Sequence, residues 1–255
     1  MIFAHSTLIL AVVLLTMPIY NRAIKIDLHQ LQRSVGPGVF YKDDCRNESG
    51  TIGMALLQLS SGDYNQTHKG RNVLVNFARQ SNACRQEVVR ALIKEMDNPN
   101  LDFEKQPSNY YLWREGSQLL GEFKAIEALD LLISHLDKTN GFHSASMVFQ
   151  PAILGVRQMG QAAVPKLRLA LKQDPKVRIR MAAAYCLTDI GGKPAMNALT
   201  QAQAGETNQC VANFIRVSLD TFAYRSKMGL SFDNQAPQAN TNARRNWQLA
   251  FQCVE

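Results

Sequence analysis

The residues most able to support binding chemistry are a run of basic side chains in the second half of the chain. The run begins at Arg157 and ends at Arg180, and Asp174 is the only acid within it. A basic stripe of this kind can meet an acidic protein, an anionic lipid or a nucleic acid, although an ordinary solvated helix face has the same composition. No aromatic residues interleave with the bases, so we expect a protein partner with an acidic surface and no nucleic acid. The predicted partner-binding residues are Arg157, Lys166, Arg168, Lys172, Lys176 and Arg180.

The five cysteines offer a second kind of chemistry. Cys186 and Cys84 stand among apolar helical positions, where an unpaired cysteine behaves as a small hydrophobe. In an oxidising compartment we expect Cys210–Cys253 to hold the tail and Cys45–Cys84 to hold the segment before the helices, although sequence alone does not determine connectivity. No CxxC or Cys/His spacing suggests zinc, so no metal ion is expected.

Catalytic patterns do not stand out in this sequence. There is no Ser/His/Asp order, no glycine-rich phosphate loop and no HExxH motif. His135 is expected on a helix surface, and His143 in a loop with nothing complementary beside it in sequence. Glu115, Glu122 and Glu127 are expected to form a solvated helical face rather than a catalytic pair. The sequence therefore favours a protein without enzymatic activity, and it predicts no cofactor.

The first twenty residues are a candidate targeting segment. Leu8 to Tyr20 carries no charge and has the length of a signal-peptide core, whereas a membrane-spanning helix needs roughly 20 apolar residues. We expect residues 1–23 to be an N-terminal membrane anchor or a signal. Arg22 and Lys25 follow it, and the positive-inside tendency would keep that flank cytoplasmic. The cysteines in polar surroundings argue for the opposite side, so the body is expected to be periplasmic or otherwise extracytoplasmic, with its orientation open.

Composition limits the class of protein. The chain has 255 residues, of which 46% are hydrophobic and 19% are charged, so it can bury a sizeable core and is not wholly disordered. Its five cysteines are too sparse for a disulfide mini-scaffold. The formal charge of +7 permits an anionic partner without requiring one.

An internal repeat organises the part of the chain that follows residue 70. In three stretches an apolar helix ends in an apolar–glycine step, and a second amphipathic helix opens a few residues later. Glycine after a helix end can adopt the left-handed cap conformation, and proline is tolerated in the first turn of the helix that follows, as at Pro165 and Pro194. The three steps are Leu120-Gly121, Met159-Gly160 and Ile190-Gly191. A weaker copy fits residues 71–98, and Asp174 is expected to cap the next first helix with Pro175 inside it.

The run from Asp174 to Gln201 resembles the short repeats of the HEAT family, including the phycobilisome-lyase HEAT-like repeats. The resemblance covers roughly Arg71 to Arg225, with an insertion at Asn140–Met147. It implies an all-α fold, an α-solenoid of about four HEAT-like helix pairs behind an N-terminal apolar helix, because one pair alone cannot bury its apolar faces. The matching features are Asp174, Val177-Arg178, Ala182 to Ala184, Leu187 and Ile190-Gly191, together with Gly160 to Pro165 of the preceding unit.

The expected organisation has four parts. They are a signal-like or anchor segment (1–23), an entry segment with loops (24–70, including Ser60–Gly70), HEAT-like repeats (71–226), and an Asn/Gln-rich linker with a short final helix (227–255). HEAT-like repeats serve many roles, so the fold alone does not name a function. We expect a non-catalytic protein-binding scaffold, membrane-tethered or exported. The alternatives are a lyase or chaperone for tetrapyrrole attachment, as the resemblance implies, and nucleic-acid binding through the basic repeats.

Overall fold

The part of the chain that the computed structural model describes is helical throughout. It comprises Cys45, residues 49–99, Leu101, residues 107–138 and residues 150–229, and these ranges contain helices and their connections without a strand. All of them belong to one compact unit, Asp43–Glu255. The predicted all-α class is confirmed. The apolar segment 1–23, the insertion 140–147 and the predicted final helix lie outside the described residues.

Ten α-helices in these ranges carry the fold. They are α1 (Ser49–Leu59), α2 (Tyr64–Ala78), α3 (Asn82–Met96), α4 (Pro107–Glu122), α5 (Leu129–Ser134), α6 (Pro151–Met159), α7 (Val164–Gln173), α8 (Val177–Ile190), α9 (Gly192–Gln203) and α10 (Gln209–Lys227). Short 3₁₀ turns, Ile126–Ala128 and Gly160–Ala163, lead into α5 and α7. Helices of this length bury one apolar stripe each and depend on their neighbours for stability.

From α4 onward the helices pack in an alternating order. The helices α4, α6, α8 and α10 contact one another in succession, and α5, α7 and α9 do the same. Helices α1 to α3 pack together and against α4. One apolar core runs through these contacts, with Leu120, Leu132, Val156, Leu167 and Leu187 all fully buried. Each such side chain contributes roughly 1.5–3 kcal/mol by leaving water.

The start of α2 corrects one expectation. Residues 60–70 were predicted to be a loop because they are polar, but the helix begins at Tyr64. Asp63 accepts a hydrogen bond from the backbone N–H of Gln66 at 2.8 Å, which satisfies a donor at the helix start. The buried face of this turn is built from small residues, Thr67 and Gly70, so hydrophobic periodicity does not reveal it.

Two of the three apolar–glycine steps end helices as predicted. Gly160 and Gly191 follow α6 and α8 with φ of 65° and 72°, a region that disfavours side chains. The prediction is wrong for Gly121, which lies inside α4. Lys124 takes the left-handed conformation instead, with φ of 52°. Its N–H donates to the carbonyl of Gly121 at 3.0 Å, as in a Schellman cap.

Gly121 stays inside the helix because α4 and α6 approach very closely there. A Cβ atom at Gly121 would lie 2.6 Å from the carbonyl oxygen of Gly155, and one at Gly155 would lie 2.3 Å from that of Ser117. Ordinary van der Waals contact begins at 3.4 Å, so both positions require glycine. This crossing joins α4 to α6, the first two helices of the series α4, α6, α8 and α10.

The turn between α7 and α8 differs from its prediction. Asp174 was expected to cap α8, but the residue in the capping position is Lys176, and α8 begins at Val177. Asp174 instead accepts a hydrogen bond from the backbone N–H of Lys176 at 2.9 Å, which closes a local turn. Pro175 therefore precedes the helix rather than starting it.

Candidate functional site

Four of the six predicted basic residues are engaged in ion pairs within the fold. Lys176 Nζ lies 3.1 Å from Asp137, and Arg180 meets Glu206 through Nε at 3.1 Å and Nη2 at 3.3 Å. The four pairs are Arg157–Asp189, Lys166–Asp130, Lys176–Asp137 and Arg180–Glu206. Each pair joins segments that are distant in sequence, so these cations contact acids of the same fold and expose less free charge than the sequence suggests.

Arg157 shows this structural role most clearly. Its guanidinium lies over the ring of Tyr185, 5.9 Å from the centroid, and pairs with Asp189 of the same helix, α8. The side chain of Asp189 is 9% exposed. Burial raises the pKa of the Tyr185 hydroxyl, and the nearby Arg157 charge opposes that rise. Arg157 therefore links α6 to α8 through these two contacts, and it is poorly placed to bind a partner.

The remaining two predicted bases are exposed on α7. Arg168 and Lys172 have no ion pair with any residue of the described ranges. Leu169 stands between them and is 51% exposed. The neighbouring helix α9 exposes Met196 (39%) and Lys193. We call these five residues the α7–α9 surface, and it combines free cations with uncovered apolar side chains.

A pocket between α2 and α4 forms a second candidate site. Its volume is about 250 Å³. Tyr64 at its edge is 81% exposed, and its ring lies nearly parallel to that of His68, with an interplanar angle of 7° and centroids 6.2 Å apart. The lining residues are Gly62, Tyr64, Thr67, His68, Arg71, Tyr111, Arg114 and Glu115. We call this cavity the α2–α4 pocket.

The charged residues that line this pocket are paired, which differs from the prediction for Glu115. Glu115 was predicted on a solvated face, but its side chain is 13% exposed and lies 3.5 Å from Arg71 Nη1. Arg71 also pairs with Glu122. Arg114 Nε stands 3.7 Å from Glu115, and the Arg114 side chain remains 47% exposed. Glu127 is exposed in the turn before α5, as predicted.

This pocket was not predicted from the sequence, although a signal for it was present. Tyr64, His68 and Arg71 stand at helical spacings of four and three residues and so share one face of α2. Tyr111 and Glu115 have the same four-residue spacing on α4. Two such aromatic–charged faces become a pocket only when the helices meet, and sequence spacing does not give that pairing.

The cysteines take three different positions. Cys45 and Cys84 form a disulfide, with Cα atoms 5.2 Å apart, a separation normal for such a bond. Both are buried, and the Ser81 hydroxyl donates to Cys84 Sγ at 3.2 Å. Cys210 is the half-buried second residue of α10. Its predicted partner, Cys253, lies outside the described residues, so that pairing stays a prediction.

The buried thiol and the helix-end histidine have structural environments. Cys186 is fully buried in α8, and burial raises the pKa of its thiol to about 12, which disfavours the reactive thiolate. His135 follows the last residue of α5, in the C-cap position, rather than standing on a helix surface. Its ring packs 4.5 Å from that of the buried Trp113, and Nδ1 lies 3.0 Å from the Leu131 carbonyl oxygen. His143 lies outside the described residues.

Two other classes of site, a metal centre and a membrane span, have no candidate in the part of the chain with described placement. No group of three or more His, Cys, Asp or Glu residues there could hold a metal ion. No helix among those residues is long and apolar enough to cross a membrane. No protein-family model matches the chain, and no curated protein matches it either. The HEAT resemblance therefore stays a prediction.

Proposed function

We propose that this chain is a non-catalytic helical-repeat adaptor that binds an acidic protein partner through the α7–α9 surface. The alternating contacts from α4 to α10 support a solenoid, in which successive second helices line one wall. In that arrangement α7 and α9 present their exposed residues side by side. A wall of this kind recognises a partner by shape and charge without any reacting group.

The observation that carries the proposal is the contrast among the bases. Lys166 and Lys176 are paired with acids, whereas Arg168 and Lys172 have no acidic partner among the described residues. Leu169 lies between these two unpaired bases and is 51% exposed. Exposed cations around an apolar centre match the usual anatomy of a protein interface, with a polar rim and a less polar core. The cations would steer an acidic partner and fix its orientation, and Leu169 with Met196 would supply contact area.

The disulfide supports placement of the body outside the cytoplasm. Disulfides persist in oxidising compartments and are rare where thiols are kept reduced. The Cys45–Cys84 bond lies buried at the start of the helical array, where it has a structural role. We propose that residues 1–23 export the chain or tether it to the membrane.

Charge reversal at the α7–α9 surface tests this function. The full chain would be affinity-tagged, chemically cross-linked in intact cells and purified with its bound protein. We expect the Arg168→Glu/Lys172→Glu double variant to weaken capture by at least about tenfold, because it places like charges against an acidic partner. When cross-linking is omitted and the partner is captured from an extract, capture by the wild-type chain should also weaken as salt is added.

A matched control is available in the same chain. Lys94 on α3 and Arg79, which follows α2, are also exposed and have no ion pair among the described residues. The Lys94→Glu/Arg79→Glu variant makes the same change in net charge in the α2–α3 region, outside the α7–α9 surface, and it should retain the partner. Equal loss in both double variants, or no loss in either, would contradict the proposal. Visible absorbance of the purified protein would instead favour the tetrapyrrole alternative. A change in the gel mobility of DNA that disappears as salt is added would favour the nucleic-acid alternative.

A further inference from the structure

We infer that the α2–α4 pocket is an anchor site for one aromatic side chain that stands beside a carboxylate in a protein partner. The inference rests on the proposed function only in assuming that the partner is a protein. It adds a second contact, built from helices other than α7 and α9, and it specifies the chemistry that this contact recognises.

The size of the pocket limits its occupant. Sites for drug-sized ligands measure roughly 300–1,000 Å³, and this pocket has about 250 Å³. It therefore admits a single ring or side chain. Gly62 contributes to that space, since a Cβ atom there would lie 3.5 Å from the Tyr111 ring. Interfaces concentrate their binding energy where one large side chain enters such a pocket.

The walls of the pocket favour an aromatic ring. Tyr64 and His68 present nearly parallel rings on α2, and Tyr111 on α4 lines the same pocket. Aromatic rings associate in offset-stacked or edge-to-face pairs, which these walls offer to an incoming ring. Tyr64 is 81% exposed, so most of its surface is available for contact with a partner.

The charges of the pocket favour an anion beside that ring. Its lining carries two guanidiniums, Arg71 and Arg114, against one carboxylate, Glu115. Glu122 faces Arg71 but does not line the pocket. Arg114 is half exposed and meets Glu115 only through Nε, at 3.7 Å, so its two terminal nitrogens remain available for a paired contact with a carboxylate. Charge complementarity therefore selects an acidic neighbour for the aromatic residue.

The experiment uses N-acetyl-phenylalanine, which joins a ring to a carboxylate, as the probe. It would be titrated into the full chain carrying ¹³C-labelled tyrosine and histidine, with ring signals followed by NMR. We expect saturable shifts of Tyr64, His68 and Tyr111 with a dissociation constant of about 1 mM, as suits a ligand of this size. N-acetyl-phenylalaninamide, which lacks the charge, should bind several-fold more weakly, and N-acetyl-alanine should leave these signals unchanged.

Paired variants make the result specific. Arg114→Gln should weaken binding several-fold, and Tyr64→Ala should weaken it by about tenfold. The same changes at exposed positions elsewhere, Arg178→Gln and Tyr224→Ala, should leave binding unchanged. Because all four side chains are at least partly exposed, the variants should remain folded, and the NMR spectrum checks this directly.

Several outcomes would overturn the inference. One is that the NMR signals of the pocket rings do not shift at a probe concentration 20-fold above the expected dissociation constant. Another is that the probe and its amide bind with equal affinity. A third is that the Arg114→Gln variant binds the probe as tightly as the wild type. These outcomes leave the capture experiment on α7 unaffected. Conversely, retained capture by the Arg168→Glu/Lys172→Glu variant would contradict the proposed function while the pocket titration still reports on its own residues.

Discussion

Substitution of Gly155 by alanine tests the packing of α4 against α6. A Cβ atom at this position would stand 2.3 Å from the Ser117 carbonyl oxygen and 2.9 Å from its carbon. Ordinary contact begins at 3.4 Å, so the two helices must separate by about 1 Å. Both clashing atoms belong to the backbone of α4, and no side-chain rotation can relieve the contact.

The free energy of unfolding should fall as the sum of two opposed effects. Overpacking of a close contact costs about 1–3 kcal/mol, and a backbone clash belongs at the upper end. Replacing a helical glycine by alanine returns about 1 kcal/mol through helix propensity. The expected net loss is about 2 kcal/mol, which corresponds to a fall in Tm of roughly 4–8 °C for a chain of this size.

Gly53 provides the matched control for this substitution. It lies inside α1, where a Cβ atom would have nothing within 4 Å. Gly53→Ala should therefore raise stability by up to about 1 kcal/mol. Both variants would be compared with the wild type by urea denaturation followed by circular dichroism. Equal stability of Gly155→Ala and wild type would refute the close crossing, because alanine would then fit where the structure leaves no room.

Three further predictions concern the disulfide, an ion pair and a thiol. The Cys45→Ala/Cys84→Ala variant should lose about 4 kcal/mol of its free energy of unfolding, measured in urea, because the bond closes a loop with a sequence separation of 39. A loss below about 1 kcal/mol would contradict a disulfide in the native protein. Glu206→Gln should lower the free energy of unfolding by about 2 kcal/mol, because it weakens two charge-assisted hydrogen bonds that Arg180 donates. Both side chains are largely buried, with Arg180 13% and Glu206 8% exposed, and an unchanged urea midpoint would contradict this geometry. Cys186, whose thiol pKa is raised to about 12 by burial, should resist a thiol reagent at pH 8 until urea unfolds the chain, whereas rapid labelling of the native protein would show that the site is open.

The apolar periodicity of the sequence was sufficient to predict much of the helical architecture. Val88, Leu92 and Met96 recur at helical spacing and are all buried on α3, as expected. Gly160 and Gly191 end their helices because few other residues tolerate a positive φ. Signals of this kind are local, so each can be read without knowing which helices meet.

The features that the sequence did not reveal depend on contacts between distant segments. Glu115 looks like a solvated residue until Arg71, from a helix two elements earlier, lies against it. Gly121 resembles a helix end because the close approach of Gly155 cannot be seen from α4 alone. The basic run loses most of its free charge for the same reason, since acids such as Asp130 and Glu206 come from distant segments of the chain.

The most direct test of the adaptor function is hydrogen–deuterium exchange of the full chain with and without its captured partner. The account predicts slower exchange in peptides covering residues 164–173 and 192–203, because a partner on the α7–α9 surface would restrict opening of those helices. Peptides from α3 should exchange at the same rate in both states. Unchanged exchange in α7 and α9 while the partner remains bound would contradict the claim that this surface binds it.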